Sequence, residues 1–320
     1  QAKANRPALS HNLIRSIYED NQGIIWIGTH DKLNRFDRKK NKIDIFNLRT
    51  VHPDFNNLVL SIEPCFSPED DKLWIGTETG LCEFNTRTLT FHIVSNADKK
   101  FPLSNNVIKT VCVVDSDQVW LGTDYGLDIY YPKTKTIETY LHNFENSYSI
   151  NNNVISKIYK DKQGHVWLGT DNGANSVSYK NDYFLINKFS RNSEQLKNGI
   201  FVYCFVQDHD GLFWLGTNEG LISYDEKTHK QETYLPPVLL HNKIRSLLVD
   251  KNGLLWIGTP GGINIYNKKK KVFESYASSV NNPQGLQTNY INCIEEDAYG
   301  NIWAGTYSDG VYKINYRKSG

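Results

Sequence analysis

Three basic residues lie at positions that vary within an otherwise repeating sequence. Arg15, Lys109 and Arg245 each follow an aliphatic residue at the same place in a repeat. A guanidinium binds a carboxylate or a sulfate through two parallel hydrogen bonds, so this set predicts a site for an acidic oligosaccharide. The residues that we expect to add stacking or hydroxyl contacts are Tyr125, Tyr203, His241 and Tyr307. The alternative is that these are ordinary solvated side chains.

We predict no catalytic residue, no metal site and no cofactor. The sequence contains no Ser-His-Asp order, no phosphate-binding loop and no nucleotide fingerprint. Its nine histidines and five cysteines show no metal-ligand spacing. The enzymatic alternative needs two converging carboxylates or a histidine with a partner, and Asp124, Asp171 and Glu219 are its candidates.

The elements that position these residues are defined by a tryptophan repeat. All seven tryptophans begin the phrase Trp-(Ile/Leu/Ala)-Gly-Thr, at intervals of 42 to 48 residues. Repeats of this length that contain several short apolar segments are typical of β-propeller blades. We therefore predict an all-β, seven-bladed β-propeller with four antiparallel strands per blade, spanning residues 1–320 as a single domain. The blades are centred on Trp26, Trp74, Trp120, Trp167, Trp214, Trp256 and Trp303.

Each unit contains strand and turn signals at fixed distances from its tryptophan. An Asp-x-x-Gly turn, which runs from Asp20 to Gly23 in the first unit, occurs in five of the seven units. It predicts a tight hairpin before the Trp strand. Trp26 and Gly28 share one face of that strand, so the glycine lets the next blade approach closely. An aromatic residue marks a fourth strand at Phe46, Tyr140, Phe189, Tyr234 and Tyr276.

The innermost strand of each unit carries the variable position. The seven repeats place Arg15, Leu60, Lys109, Ser156, Tyr203, Arg245 and Asn292 there, beside an apolar frame. Such variation predicts a binding site at the mouth of the central channel. Two basic runs, residues 38–42 and 268–271, fall between third and fourth strands on the opposite face, where we expect a solvated edge.

The last unit lacks a fourth-strand signal, and we predict a three-stranded or loosely closed last blade. Residues 1–8 are the local candidate for closing the ring, but their β-propensity is poor and they contain no aromatic residue. The chain contains no methionine, so we expect it to be a piece of a longer protein.

Composition bounds the possible partners. The net charge of +1 favours neither nucleic acid nor an anionic membrane surface. No apolar run approaches the length of a membrane span, and no signal peptide is retained. We expect the five cysteines to act as small hydrophobic residues and to form no disulfides; they are Cys65, Cys82, Cys112, Cys204 and Cys293.

The repeat resembles the two-component regulator propeller repeat. The segments that carry the resemblance are residues 9–20 and 23–29, with residues 103–106 and 120–127 as further close matches. That family implies the extracytoplasmic sensor region of a Bacteroidetes hybrid two-component system, in which two propellers and an Ig-like domain precede a membrane helix and a histidine kinase. It also implies a periplasmic location, with the parent protein anchored in the inner membrane.

We therefore predict a non-catalytic, ligand-sensing propeller that responds to glycan fragments. Expected partners are an oligosaccharide, a neighbouring propeller or Ig-like domain of the parent, and a second protomer, with no nucleic acid and no direct membrane contact. The alternatives are a propeller-fold polysaccharide hydrolase or lyase, and a scaffold that binds only proteins.

Overall fold

Seven antiparallel β-sheets follow one another along the chain, and each contains one of the seven Trp-x-Gly-Thr phrases. The computed structural model describes residues 8–50, 53, 55–67, 70–94, 103–177, 184–187, 200–279, 282 and 285–316. Among these residues, six sheets have four strands and the last has three, each strand paired with its neighbour in sequence. The predicted seven-bladed all-β propeller with a shorter last blade is confirmed.

The strands of the first four blades have the following bounds. Blade 1 contains β1 (Ile14–Glu19), β2 (Ile24–Thr29), β3 (Leu33–Asp37) and β4 (Lys42–Phe46), followed by a short 3-10 helix (Leu48–Thr50). Blade 2 contains β5 (Val59–Pro64), β6 (Lys72–Thr77), β7 (Gly80–Asn85) and β8 (Thr90–Val94). Blade 3 contains β9 (Ile108–Val113), β10 (Val119–Thr123), β11 (Gly126–Tyr131) and β12 (Thr136–Tyr140). Blade 4 contains β13 (Ile155–Lys160), β14 (Val166–Thr170), β15 (Gly173–Val177) and β16 (Phe184–Asn187).

The remaining blades follow the same order. Blade 5 contains β17 (Val202–Gln207), β18 (Phe213–Thr217), β19 (Gly220–Asp225) and β20 (Lys230–Tyr234). Blade 6 contains β21 (Ser246–Val249), β22 (Leu254–Thr259), β23 (Gly262–Asn267) and β24 (Val272–Tyr276). Blade 7 contains β25 (Ile291–Glu296), β26 (Ile302–Thr306) and β27 (Val311–Ile314). The predicted fourth-strand aromatic residues lie in β4, β12, β20 and β24, whereas Phe189 is outside the described residues.

The glycine of each Trp-x-Gly phrase lies against the next blade. A Cβ at Gly28 would lie 2.6 Å from Cγ1 of Val59, and one at Gly122 would lie 2.8 Å from Cγ2 of Ile155. These distances are too short for a real Cβ, so only glycine allows the inner strands to pack at this separation. The seven tryptophans are all buried, at most 7% exposed, and fill the junctions between blades.

The Asp-x-x-Gly hairpin is held by one carboxylate that binds three groups. Oδ1 of Asp250 accepts hydrogen bonds from the backbone N–H groups of Asn252 and Leu254, both at 2.9 Å. Its Oδ2 accepts the indole N–H of Trp256 at 3.1 Å. The hairpin was predicted, but the bond that fixes the tryptophan ring was not. It recurs in blades 1, 4, 5 and 7, while Gln118 supplies the acceptor to Trp120 in blade 3.

The ring closes because blade 7 packs directly on blade 1. A Cβ at Gly305 would lie 2.6 Å from Cγ2 of Ile14, which repeats the contact seen at the other junctions. Nδ2 of Asn292 donates a hydrogen bond to the carbonyl oxygen of Ile14 at 3.0 Å. Trp303 packs with the isoleucines of β1 and β2 in one apolar cluster. Residues 1–7, which we had considered for closure, are outside the described residues.

The first residue of each basic run is only partly exposed and is held in ion pairs, which corrects our expectation of a freely solvated edge at that position. Arg38 forms ion pairs with Glu19 of its own blade and with Asp297 of blade 7. Lys268 pairs with Asp208 at 2.5 Å and with Asp210 at 2.6 Å, both in blade 5. These cations therefore connect neighbouring blades across the face opposite the predicted site. The later lysines of the second run, residues 269–271, are exposed as expected.

The five cysteines are free, as predicted. Cys82, Cys112 and Cys204 are buried, and burial raises the pKa of each of these thiols. Within the described ranges, no helix has the length and apolar character needed to cross a membrane.

Candidate functional site

In six of the seven blades, a β-bulge near the start of the innermost strand places one side chain at the ring axis. The register between β1 and β2 shifts between Ile14 and Ser16, so Arg15 is left without a cross-strand partner. The same shift leaves out Leu60, Lys109, Ser156, Tyr203 and Asn292 in blades 2, 3, 4, 5 and 7. A bulge changes the direction of the extra residue, and here it points the variable side chains away from the sheets.

These side chains surround one cavity of about 310 Å³. The lining residues are Arg15, Leu60, Lys109, Ser156, Tyr203, Arg245 and Asn292, one from each blade. The structure thus brings together four of the seven residues proposed as ligand contacts, namely Arg15, Lys109, Tyr203 and Arg245. The other three, Tyr125, His241 and Tyr307, do not line the cavity.

Two of these three side chains are separate surface features. Tyr125 is 54% exposed, on the turn after Thr123. His241 is exposed and its Nδ1 accepts the backbone N–H of Lys243 at 2.9 Å. Neither residue lines the cavity, and a ligand contact at either one stays a prediction.

Tyr307 is connected to the cavity through a tyrosine that the sequence reasoning missed. Its ring lies 5.0 Å from that of Tyr290, and Cζ of Arg245 lies 5.9 Å from the Tyr290 centroid. On its other side, Arg245 lies 5.1 Å from the Tyr203 centroid, and Nζ of Lys243 lies 5.3 Å from the same ring. Tyr290 and Lys243 each follow the asparagine that opens their repeat, which is the signal that could have identified them.

The cations around the cavity differ in whether they are neutralised. Lys109 forms an ion pair with Asp124. Within the described part of the chain, Arg15 and Arg245 form no ion pair. The Nε atom of Arg15 is buried and makes no hydrogen bond. An unpaired donor of a charged group is costly to bury.

Two of the three carboxylates considered for an enzyme contact residues that line the cavity. Asp124 is bound by Lys109. The pKa of Asp171 is raised, chiefly by burial and further by the charge of Asp124, while Lys109 opposes the rise. Glu219 is exposed on its turn.

A second charged group lies within the ring. Lys157 of blade 4 interacts electrostatically with Glu63 of blade 2 and with Glu295 of blade 7. Because blade 4 is a neighbour of neither blade 2 nor blade 7, this electrostatic interaction runs across the ring. Removal from water raises the pKa of Glu63 to about 7, and it does the same for Glu295.

One histidine comes together with two carboxylates on the opposite face. Nδ1 of His165 lies 3.3 Å from Oδ2 of Asp161 and 3.7 Å from Oε1 of Glu226, which belongs to the next blade. The three ligand atoms lie within 4.8 Å of one another, a spacing that a metal ion could use. Sequence spacing did not indicate this group because Glu226 comes from a different repeat.

Five segments of the chain match the model of the two component regulator propeller. They are residues 8–31, 149–172, 195–219, 238–261 and 285–308. The two repeats without a match, in blades 2 and 3, are those that lack the Asp-x-x-Gly turn. No curated protein matches the chain.

Solved structures share the fold at low sequence identity. The extracellular domain of the putative hybrid two-component system BT4673 from B. thetaiotaomicron is 23% identical, with a TM-score of 0.79 over 98% of this chain and 40% of that one. The corresponding domain of BT3049 from the same organism is 22% identical, with a TM-score of 0.78 over 98% and 41%. Virginiamycin B lyase from Staphylococcus aureus is 13% identical, with a TM-score of 0.69 over 96% of each chain. The chain thus spans about two fifths of the first two structures.

Proposed function

Because the chain carries repeats of the two-component regulator propeller family, we propose that it is a ligand-sensing propeller of an extracytoplasmic sensor region and that its ligand is an acidic glycan fragment. The propeller does not itself catalyse a reaction. The parent protein is anchored in the inner membrane, exposes this propeller in the periplasm and carries a histidine kinase. The similarity to the two B. thetaiotaomicron structures, which are extracellular domains of putative hybrid two-component systems, supports this context.

The observation that carries the ligand class is the pair of unneutralised arginines at the axial cavity. Arg15 and Arg245 face the same space of about 310 Å³, and neither has an ion-pair partner within the described chain. A carboxylate or sulfate that accepts from both guanidinium groups gains charge-assisted hydrogen bonds.

The remaining lining supports a sugar rather than a bare anion. Tyr203 offers a ring face, and Ser156 and Asn292 offer hydroxyl and amide groups at the same level of the ring. Polar groups of this kind satisfy the hydroxyls of a bound sugar, and the aromatic ring packs against its apolar face. Tyr290 and Tyr307 extend the aromatic surface away from the axis.

Signalling requires that binding favour one arrangement of the parent protein. We propose that the occupied propeller changes its position against a neighbouring propeller, an Ig-like domain or a second protomer. The ligand shifts that equilibrium only by the difference between its affinities for the two arrangements.

Calorimetric titration of the 320-residue chain with a panel of neutral and acidic oligosaccharides tests the proposal. We expect acidic fragments to bind, neutral fragments of equal length to bind much more weakly, and affinity to fall with salt. Absence of binding across the panel would overturn the sensing role and favour a scaffold that binds only proteins. Equal binding of neutral and acidic fragments would overturn the role of the arginines.

The enzymatic alternative is favoured by one observation, the raised pKa of Asp171 beside the cavity. A general acid with a raised pKa is a feature of polysaccharide hydrolases. Incubation of the chain with the same oligosaccharides, followed by product analysis, separates the two functions. Turnover that is lost on Asp171→Asn supports a hydrolase or lyase, and intact oligosaccharides support the sensor.

A further inference from the structure

Two junctions between blades, on the face opposite the axial cavity, are bridged by a cation from the same position of the repeat. This position lies in the hairpin after the third strand, three residues beyond the residue that pairs with the tryptophan of the same blade. It is Arg38 in blade 1 and Lys268 in blade 6. Both cations contact the hairpin aspartate of the preceding blade in the ring.

The two cations bind the same oxygen atom of their aspartate. Nη1 of Arg38 lies 2.5 Å from Oδ2 of Asp297. Nζ of Lys268 lies at the same distance, 2.5 Å, from Oδ2 of Asp208. Within each hairpin, that oxygen also accepts the indole N–H of the tryptophan. Each cation contacts a second acid as well, so one positive charge is placed between two carboxylates.

Blade 5 carries an acid at this position. The residue is Glu226, and it faces the hairpin of blade 4, whose aspartate is Asp161. Within the part of the chain that the structure describes, neither acid forms an ion pair with a lysine or an arginine. The equivalent residues of blades 2, 3 and 7 carry no charge; they are Thr86, Pro132 and Tyr316. Two carboxylates therefore meet between blades 4 and 5 without the cation that bridges the other two junctions.

An imidazole lies beside both carboxylates. Nδ1 of His165 lies 3.3 Å from Oδ2 of Asp161, the oxygen that binds the cation in the other hairpins. The same nitrogen lies 3.7 Å from Oε1 of Glu226. Ligands held at about 2.0–2.1 Å in a tetrahedron around zinc lie roughly 3.3–3.4 Å apart. All three atoms lie within 4.8 Å of one another, so a small movement of the half-exposed Glu226 side chain brings them to that spacing.

The hairpin of blade 4 holds Asp161 in position. Its Oδ1 accepts hydrogen bonds from the backbone N–H groups of Gln163 at 2.9 Å and His165 at 2.8 Å. Its Oδ2 accepts the indole N–H of Trp167 at 3.1 Å. Hydrogen bonds of this kind orient a carboxylate ligand and raise its affinity for a metal. The Asp161 side chain is fully buried, whereas that of His165 is 37% exposed, so an ion can reach the three atoms from solvent.

We propose that Asp161, His165 and Glu226 bind a zinc ion, which joins blades 4 and 5 where an arginine or a lysine joins other blades. Two carboxylates and a neutral imidazole balance the charge of Zn²⁺. Mixed nitrogen and oxygen donors favour Zn²⁺ over Mg²⁺ and Ca²⁺, which prefer oxygen alone. Three protein ligands leave the fourth position of the tetrahedron to a water molecule. The site is separate from the axial cavity and does not depend on the binding of a glycan there.

Calorimetric titration of the chelator-treated 320-residue chain with zinc chloride tests the proposal. We expect a single tight site per chain. His165→Asn removes the nitrogen donor and should lower the affinity for zinc by at least about a hundredfold, because loss of a group that only orients a ligand already costs about 10- to 100-fold. The matched control is His92→Asn, at an exposed histidine of β8, which should bind zinc like the parent chain. No zinc binding by the parent chain, or equal affinities of the two variants, overturns the proposal.

Glu226→Lys replaces the metal ligand by the cation that blade 6 carries at the same position. We expect this variant to lose zinc binding and to unfold at the same temperature with zinc and with chelator. The parent chain should unfold at a higher temperature with zinc than with chelator, because an ion that binds only the folded state stabilises it. An equal zinc-dependent shift in the parent chain and in Glu226→Lys contradicts the assignment to these residues.

Cobalt titration of the unmodified chain gives a test that does not depend on the folding of a variant. Co²⁺ in a tetrahedral site absorbs visible light much more strongly than hydrated Co²⁺. We expect this absorption to appear with one equivalent of Co²⁺ per chain and to disappear when zinc is added. Absence of a cobalt spectrum that zinc displaces overturns the proposal.

Discussion

The guanidinium of Arg245 lies over the ring of Tyr203, with 5.1 Å between Cζ and the ring centroid. The two residues come from adjacent blades and line the same axial cavity. Stacking uses the planar face of the guanidinium and leaves its N–H groups at the edge free for a ligand. The aromatic ring therefore orients the guanidinium of Arg245 and leaves its charge in place. A carboxylate partner would neutralise that charge.

Substitution of Tyr203 measures this orientation. Tyr203→Phe keeps the ring face, so we expect affinity for an acidic oligosaccharide to change by less than about threefold. Tyr203→Leu removes the face, and we expect affinity to fall by roughly three- to thirtyfold, as for loss of a cation–π contact. The measurement is calorimetric titration. If Tyr203→Phe weakens binding as much as Tyr203→Leu, the hydroxyl group rather than the ring is the ligand contact.

The hydrogen bond from the indole of Trp256 to the carboxylate of Asp250 predicts that substitutions at these two residues are strongly coupled in their effect on stability. In a double-mutant cycle of Asp250→Asn and Trp256→Phe, we expect a coupling of about 1.5–3 kcal/mol in the free energy of unfolding, because the acceptor is charged. The neutral bond from Trp120 to Gln118, at 3.0 Å, should give about 0.5–1.5 kcal/mol in the matched cycle. Urea unfolding provides both values. Additive effects in the first cycle would show that the hairpin and the ring are stabilised independently.

Direct packing of blade 7 on blade 1 predicts how strongly alanine destabilises the protein at different glycines of the Trp-x-Gly phrases. Gly305→Ala would place a Cβ 2.6 Å from Ile14 and 2.5 Å from Sγ of Cys293, so we expect a loss of about 1–3 kcal/mol. At Gly258 the nearest atom is Cγ2 of Ile291 at 2.9 Å, and the loss from Gly258→Ala should be smaller. Thermal unfolding ranks the two variants. A neutral effect of Gly305→Ala would contradict direct packing of blade 7 on blade 1.

Much of this architecture can be predicted from the sequence, because it is encoded locally. The period of the tryptophans predicts the number of blades, and the alternation of Trp26 and Gly28 predicts the face against which the next blade packs. The position that includes Arg15 and Arg245 was identified because it varies while its aliphatic neighbours do not. The cavity that these residues line was therefore predicted, while its ligand is proposed.

Features that depend on two repeats were not predicted. The pairing of Arg38 with Asp297 joins residues 259 positions apart, and nothing in either repeat alone indicates it. The bulge that turns Arg15 to the axis has no sequence signal of its own, since bulge residues here include Leu60 and Ser156. Tyr125 and His241 were included because their loops were expected on the same face as the cavity; neither residue lines it.

The glutamates inside the ring predict a pH dependence of stability. The pKa of Glu63 is about 7 in the folded chain and near 4.5 when unfolded. Because the folded value is raised, the folded state binds more protons between these values, and stability falls as pH rises from about 4.5 to 7. Glu63→Gln removes the ionisation, so we expect it to be more stable than the parent chain at pH 8 by roughly 1–3 kcal/mol.

The control is the same comparison of Glu63→Gln with the parent chain below about pH 4.5. The carboxyl of Glu63 is then protonated in both the folded and the unfolded state, so the difference in stability should nearly vanish. Thermal unfolding over this pH range measures it. A Glu63→Gln effect that does not change with pH would show that the glutamate is not held in its acid form by the ring.

The most direct test of the proposed sensing role is calorimetric titration of the Arg15→Ala/Arg245→Ala double variant with an acidic oligosaccharide that binds the parent chain. The matched control is Lys269→Ala/Lys270→Ala, which removes the same charge from the opposite, exposed face. We predict that the arginine variant loses at least about a hundredfold in affinity, as two charge-assisted bonds are removed, while the lysine variant binds like the parent chain. Equal affinities of the two variants would contradict ligand binding at the axial cavity.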